Sequence, residues 1–334
     1  MRPARNYFAR TSQRDAGMLS RVADGLYWMS RYLERAAQTA RLVDVEFQLW
    51  LDQTPEAAAD RWKFLFEALR IAPPQIVDPT RLLNSLVFSR TNPSSIVSCI
   101  STARENLRHV REQCSSEMWE QLNRLYLEAV DTWPEEAWMQ KSRAFFHAVQ
   151  EGAHLFQGVT DGTMSHGEGW QFIQLGRYVE RTDALAALIE THLKRVAAPV
   201  DQAVESGEYL EWVGLLRACV AFEAYCKVYT AEIRPLRVAE FLLLNADFPH
   251  SVRFSVDRVN AALHVIGDLT ERREKSTTRI AGRLRAQLSF SQIEEVLAEG
   301  SNTYLENVRN ECAQIHTAIH QIYFHYSIES ELAS

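Results

Sequence analysis

Residues 18–47, MLSRVADGLYWMSRYLERAAQTARLVDVEF, carry the pattern that decides the fold. On a helix that turns 100° per residue, their apolar side chains fall within about 60° of one another. The pattern predicts one long amphipathic helix over residues 19–52, stopped before Pro55. The apolar positions are Val22, Leu26, Met29, Leu33, Ala36, Ala40, Val43 and Phe47.

The same periodicity continues along the chain and is interrupted where Pro and Gly cluster. No segment alternates with period two over enough residues to predict a strand. We therefore predict an all-α fold of about twelve helices. The other eleven span residues 57–70, 79–90, 94–114, 116–131, 134–158, 168–196, 208–231, 235–245, 250–270, 279–298 and 301–328.

Composition excludes several classes of protein. The 13 Gly and 10 Pro of 334 residues make about 7 %, against about 12 % in average proteins, which argues against a sandwich, barrel or dinucleotide fold. A net charge of −7 lacks the basic field of a nucleic-acid binder. Five cysteines without a CxxC pair indicate reduced thiols. No apolar run reaches the length of a membrane span, so we predict a soluble, cytoplasmic protein.

Three pairs of similar segments indicate an internal duplication. RYLER at 31–35 matches RYVER at 177–181, WKFLFEAL at 62–69 matches WVGLLRAC at 212–219, and LVFSRTNPSSI at 86–96 matches LLLNADFPHSV at 242–252. Their order is the same and the offset grows slowly from 146 to 156. We predict two six-helix halves, 18–160 and 161–330, related by a pseudo-two-fold axis. The Arg-rich residues 1–17 are expected to be a disordered tail, with the folded part starting at Met18.

The two RYxER segments are the main candidate site. Each points away from the apolar stripe of its helix, but the first shares its side with Trp28 and Leu42, so its charges are expected to lie between packed elements. One interpretation is an intrahelical ion pair between residues i and i+3. The other is a shared surface that binds a carboxylate or phosphate, or docks a partner. Its residues would be Arg31, Glu34, Arg35, Arg177, Glu180 and Arg181.

Weaker candidates lie outside these motifs. The loop at 160–169 holds Asp161 and His166, and it is explained equally well as a turn followed by a helix N-terminus. A basic stripe on the fourth predicted helix is most often a solvated face, with an anion-binding or docking surface as the alternative; it consists of Arg104, Arg108 and Arg111. His316 and His320 stand four residues apart but lack the glutamate of an HExxH motif. We predict no metal site and no cofactor.

Several long segments resemble one known family. MLSRVADGLYWMSRYLERAAQTARL, SSIVSCISTARENLRHVREQCSSEMWEQLNRLY and LFQGVTDGTMSHGEGWQFIQLGRYVERTD are similar to the bacterial alpha-E family, an all-helical domain named for its Glu-Arg motif. The resemblance covers residues 18–330. It places the motif on Glu34-Arg35 and, through the repeat, on Glu180-Arg181.

The resemblance implies partners rather than a reaction. Similar proteins are typically encoded beside, or fused to, circularly permuted ATP-grasp ligase-like proteins and transglutaminase-like proteins, in a system proposed to ligate peptides. Since the chain has no glycine-rich phosphate loop, the predicted role is that of a component acting with such a ligase, the motifs binding a peptide carboxylate or phosphate or docking the partner. The alternatives are a transferase or ligase with Glu34 or Glu180 as general base, and a purely structural scaffold.

Overall fold

The computed structural model describes residues 18, 20–51, 55–72, 79–131, 138–195, 206–270, 275–298 and 301–324. The predicted tail at 1–17 lies outside these residues. The described part contains fourteen α-helices and no strand, as the periodicity predicts. It contains no helix long and apolar enough to cross a membrane.

The helices follow the chain in this order: α1 (Ser20–Leu51), α2 (Pro55–Leu69), α3 (Pro79–Val87), α4 (Ile96–His109), α5 (Ser116–Asp131), α6 (Trp138–Thr163), α7 (Glu168–Arg195), α8 (Ser206–Ala218), α9 (Phe222–Tyr229), α10 (Pro235–Leu244), α11 (Val252–Leu269), α12 (Lys275–Phe290), α13 (Ile293–Ala298) and α14 (Ser301–Ile319). A 3-10 turn at Arg111–Gln113 follows α4, and a π-helical turn at His320–Phe324 follows α14.

Two of the twelve predicted helices are each divided in two. The helix predicted at 208–231 breaks between α8 and α9, where Val220 has a φ of 54° in the left-handed region that ends helices. The helix predicted at 279–298 breaks at Ser291, whose hydroxyl donates to the carbonyl of Gln287. Neither break contains Gly or Pro, so the breaker rule could not find it.

The predicted loop between the halves is shorter than expected. Helix α6 continues to Thr163, which places Gly158, Gly162 and Asp161 on a helix instead of in a loop. The chain turns only at 164–167 before α7 begins with Glu168 in its first turn. The glycines therefore do not interrupt α6, because one exposed glycine costs a helix only about 1 kcal/mol relative to alanine.

Helices α1 and α7 pack against each other at the centre of the fold. A Cβ atom at Gly176 would lie 2.2 Å from the backbone carbonyl oxygen of Tyr27, so glycine is required where the two helices are closest. This close approach brings the two RYxER segments together.

The packing around the central pair is matched on its two sides. Helix α1 packs on α4 and α6, while α7 packs on α11 and α14; α2 packs on α7, while α8 packs on α1. The starts of α4 and α11 also correspond. The hydroxyls of Ser95 and Ser251 accept from the backbone amides of Ser98 and Phe254 and donate to carbonyls six residues upstream. The internal duplication of the sequence stays a prediction. It would relate the helices that are paired in this paragraph.

Candidate functional site

The two RYxER segments bind each other through crossed ion pairs. Arg35 Nε donates to Glu180 Oε1 at 2.6 Å, and Arg181 Nε donates to Glu34 Oε1 at 2.7 Å. The second nitrogen of each guanidinium bonds the other oxygen, at 3.1 Å and 2.9 Å. The glutamate of each segment is thus held by the final arginine of the other, in the two-pronged geometry that fits guanidinium to carboxylate.

The predicted intrahelical pair between Arg31 and Glu34 is wrong. Arg31 Nε instead donates to Glu180 Oε2 at 2.7 Å, across the helix interface. The expectation that the motif lies between packed elements is right, since Glu34 is 2 % exposed and Glu180 is 5 % exposed. An isolated helix cannot provide these contacts, because each carboxylate is bound by the neighbouring helix.

Both carboxylates are held in the ionised form. Burial acts to raise the pKa of Glu34, but Arg181 and then Arg41 and Arg177 outweigh it and keep that pKa far below its usual range. Burial likewise opposes ionisation of Glu180, and Arg31 and Arg35 reverse the effect. A carboxylate this acidic and this enclosed is a poor general base.

The side of the network around Glu180 is closed by aromatic rings. Tyr27 Oη lies 2.8 Å from Nδ1 of His316, and Arg31 Nη1 lies 3.1 Å from the same nitrogen, both within hydrogen-bond distance. The Arg31 guanidinium also lies over the ring of Trp28, 5.0 Å from its centroid. Burial and then Arg31 lower the pKa of His316 to about 3, so the ring is neutral and accepts these hydrogen bonds.

The side around Glu34 is more open. Arg177, which aligns with Arg31 in the predicted repeat, places its Nε 4.0 Å from Glu34 Oε2. That nitrogen is buried and has no hydrogen-bond partner among the described residues. Another nitrogen of Arg177 donates to the side-chain oxygen of Gln157. Glu34 also accepts from Gln38 at 2.8 Å. Arg177 is therefore the motif arginine held least by carboxylates.

A cavity of about 570 Å³ lies between α6, α7 and α11, next to Arg177. Its volume falls within the range of small-molecule sites, about 300–1,000 Å³. Gln157, Gln174 and Arg177 line it and also line the narrow pocket that reaches Glu34. The remaining lining residues are His154, Gly158, Asp161, Trp170, Gln171, Tyr178, Arg258, Ala261, Ala262 and Val265.

Arg41 is a member of this site that the motif did not indicate. It is 4 % exposed, and no hydrogen bond or ion pair joins it to another described residue. Burial lowers its pKa to about 10, a change that Glu34 opposes and Arg181 reinforces. The sequence signal was its position seven residues, about two helical turns, after Glu34 on the same face of α1.

A second ion cluster lies further along α1 and α7 and was also not predicted. Arg61 donates to Glu46 at 2.7 Å and to Glu211, and Arg195 pairs with Glu211. Two arginines meet two glutamates here, so the cluster balances its own charge. It joins α1, α2, α7 and α8 and needs no ligand.

The weaker candidates are divided between the cavity and the surface. Asp161 lines the cavity, and His166 stacks on Trp170 at 4.2 Å with its Nε2 3.0 Å from the Asp161 carbonyl oxygen.

The basic stripe is separate from the Glu-Arg network. Arg104 and Arg108 pair with Glu105 at 2.7 and 2.8 Å, and Arg104 and Arg111 lie over the ring of Trp119. The arginines of the stripe are thus held by ion pairs and by stacking on an aromatic ring.

The comparison with known protein families also identifies the Glu-Arg motif. The sequence profile of Alpha-E, "a predicted alpha-helical domain with a conserved ER motif", matches residues 18–324. Uncharacterized proteins of Mycobacterium bovis and Mycobacterium tuberculosis are each 26 % identical over 327 residues. The matches cover 90 % of this chain and 35 % of each relative, so the chain spans about a third of the length of those curated relatives. No solved structure matches it. Helical throughout its described part, with Glu-Arg pairs joining its central helices, the chain belongs to the Alpha-E family.

Proposed function

We propose that this protein is a ligand-binding component of a peptide or amide ligation system, acting with an ATP-grasp ligase-like partner. The cavity between α6, α7 and α11 would hold a carboxylate or phosphate group of the ligand. The observation that carries the proposal is Arg177, a motif arginine that lines the cavity with a side chain 20 % exposed, while its approach to Glu34 is no closer than 4.0 Å.

The Glu-Arg network supports this role by positioning Arg177. Glu34 and Glu180 join α1 to α7, and Arg177 lies one helical turn before Arg181 on α7. Arg181 takes both oxygens of Glu34. Because Arg181 takes these oxygens, the exposed part of the Arg177 guanidinium at the cavity wall is left for an anionic group of a ligand.

The geometry favours binding over catalysis by the isolated chain. The two candidate general bases, Glu34 and Glu180, are enclosed and held ionised by arginines, which weakens them as proton acceptors. Chemistry would then belong to the partner. In the mycobacterial relatives the matching segment is part of a chain about three times as long, so there the unit is joined to further sequence. Docking of a transglutaminase-like protein is a further role that the resemblance suggests.

The test compares Arg177→Gln with Arg285→Gln, a control on α12 whose exposed guanidinium pairs with Asp257 outside the cavity. We expect the wild-type chain and the control to bind small carboxylates or phosphates in calorimetry. The Arg177 variant should bind about tenfold more weakly, the loss expected for one charge-assisted hydrogen bond.

The partnership is tested separately, by co-purification with an ATP-grasp ligase-like protein of the same organism and by product formation with and without this chain. The Arg177 variant should lower product formation while remaining folded. Equal anion binding by the variant and the wild type would contradict the anion site. Product formation that is independent of this chain would contradict the partnership.

A further inference from the structure

Arg41 is a buried cation that the pairing of the two motifs leaves unexplained. Arginines are almost never fully buried without a partner, because a charge removed from water needs compensation. Arg41 is 4 % exposed and makes no hydrogen bond or ion pair with the other described residues. With a pKa of about 10 it keeps its charge at neutral pH.

The charges around Arg41 do not balance. Glu34 is the carboxylate that acts on its pKa, and Arg181 already bonds both oxygens of Glu34. Arg177 also acts on the pKa of Arg41 and reaches Glu34 only at 4.0 Å. Among the buried groups, three arginines therefore share one glutamate, an excess of two positive charges. Asp161, an exposed carboxylate that also lines the cavity, acts on the pKa of Arg177 from the solvent side. The second cluster differs, because its two arginines, Arg61 and Arg195, bond the two glutamates Glu46 and Glu211.

The excess charge lies beside the cavity. Arg177 is one of its lining residues, and His154, another, has its pKa lowered by burial and then by Arg41 more than by any other charge. Arg258 adds a further guanidinium to the lining, stacked on Phe254 and without a carboxylate partner among the described residues. Arg177 and Arg258 thus line the cavity, while Arg41 and Arg181 act on its lining residue His154 without lining the cavity themselves.

The rest of the cavity is suited to an organic group. Its volume of about 570 Å³ is far larger than a free phosphate ion needs. Part of its wall is apolar, formed by Trp170, Tyr178, Ala262 and Val265, and the other part carries polar side chains, among them Gln157, Asp161, Gln171 and Gln174. Sites for small organic molecules combine such apolar walls with a few placed polar groups.

From the buried excess of two charges beside this cavity, we infer that the ligand carries a dianionic phosphoryl group on an apolar organic body. The phosphoryl group would bind at Arg177, with Arg41 and Arg181 supplying the charge behind it, and the organic body would lie against Trp170 and Val265. A carboxylate would compensate one charge, and a phosphate ester compensates two. The inference rests on the proposed function and names the chemical class of its ligand.

The experiment is calorimetry on the full chain at constant ionic strength with three probes: phenyl phosphate, benzoate and inorganic phosphate. Phenyl phosphate and benzoate share the aromatic body and differ in charge, whereas inorganic phosphate lacks the body. We expect phenyl phosphate to bind at least about tenfold more tightly than either of the others, the value of one charge-assisted contact.

Arg41→Met tests the source of the preference. Removing an uncompensated buried charge should leave the free chain as stable as the wild type or more stable, while the preference for phenyl phosphate over benzoate disappears. A merely structural Arg41 would instead lower the melting temperature and leave the preference intact, which overturns the inference. If Arg41→Met fails to fold, the inference is tested by the three probes on the wild-type chain and by Arg41→Lys. Arg41→Lys keeps the positive charge and should keep the preference for phenyl phosphate over benzoate.

The outcomes separate the two proposals. Benzoate binding as tightly as phenyl phosphate overturns the phosphoryl inference and leaves the anion site of the proposed function standing. If inorganic phosphate binds as tightly as phenyl phosphate, the part of the inference that gives the ligand an organic body is overturned. No binding by any of the three probes overturns both the inference and the proposed anion site.

Discussion

The two sides of the Glu-Arg network have similar sequences and different surroundings. On the Glu180 side, Arg31 and Arg35 both bond the carboxylate, and Tyr27, Trp28 and His316 close the space beyond them. On the Glu34 side, Arg181 is the one arginine of the described part that bonds the carboxylate in this way. Arg177 lines a cavity, and Arg41 has no hydrogen-bond or ion-pair partner in that part of the chain. Both sides join α1 to α7, but only the Glu34 side has an arginine at the wall of a cavity, where the proposed function places a ligand.

The difference shows how a repeated motif can serve two purposes. The crossed pairs need both glutamates, so each side contributes to the joint between α1 and α7. The residues that differ come from the outer helices. α14 supplies His316 on one side, and α6 supplies His154 and Gln157 on the other. Function is therefore expected on the side where the outer helix leaves an arginine uncovered.

The largest effect is expected from removing either carboxylate. Glu180→Gln leaves Arg31 and Arg35 buried without an anion, and Glu34→Gln does the same to Arg181. Each variant should lose about 3–5 kcal/mol of unfolding free energy, because breaking a buried pair strands its charge. Urea denaturation followed by circular dichroism measures the loss.

Glu105→Gln is the matched control for the carboxylate variants. Its ion pairs with Arg104 and Arg108 lie at the surface, where such pairs contribute less than about 1 kcal/mol. If Glu34→Gln and Glu180→Gln lose no more unfolding free energy than this control, the network does not stabilise the fold.

A smaller effect should distinguish the two aligned arginines. Arg31→Met removes a 2.7 Å bond to Glu180 and should cost about 2–3 kcal/mol, since Arg35 still neutralises that carboxylate. Arg177→Met removes no hydrogen bond to a carboxylate and should stay within about 1 kcal/mol of wild type. Melting and urea curves of both variants give the comparison. Equal losses would mean that the two sides are energetically alike.

The smallest effect concerns pH on the closed side. The pKa of His316 is about 3 in the folded chain because burial and Arg31 disfavour the charged ring, whereas in the unfolded chain it is about 6.5. The unfolded state binds more protons between these values, so this contribution is complete above pH 6.5 and is lost as the pH falls towards 3. As the pH falls from 6.5 to 5, the unfolding free energy of wild type should decrease by about 1 kcal/mol per pH unit more than that of His316→Gln. Urea denaturation at several pH values measures the two slopes. Parallel slopes would contradict the assignment.

Much of the fold followed from local patterns. The apolar stripe of α1 and the position of Pro55 predicted a helix over residues 19–52, and α1 spans Ser20–Leu51. Periodicity works here because an amphipathic helix records in its own residues which face it buries. It failed at Val220 and Ser291, where the chain breaks a helix without Gly or Pro.

The residues of the site were predictable, but their partners were not. The sequence by itself determined an all-helical chain, predicted that the charges of the first RYxER segment lie between packed elements, and made both segments candidates for a charged site. Only the tertiary structure decided that Glu34 pairs with Arg181, because that contact forms between α1 and α7, which approach closely at Gly176. It also left Arg41 without a hydrogen-bonded anion among the described residues. A carboxylate is stabilised by whichever cation folding brings within hydrogen-bond distance, and residues on separate helices carry no record of that distance in their spacing along the chain.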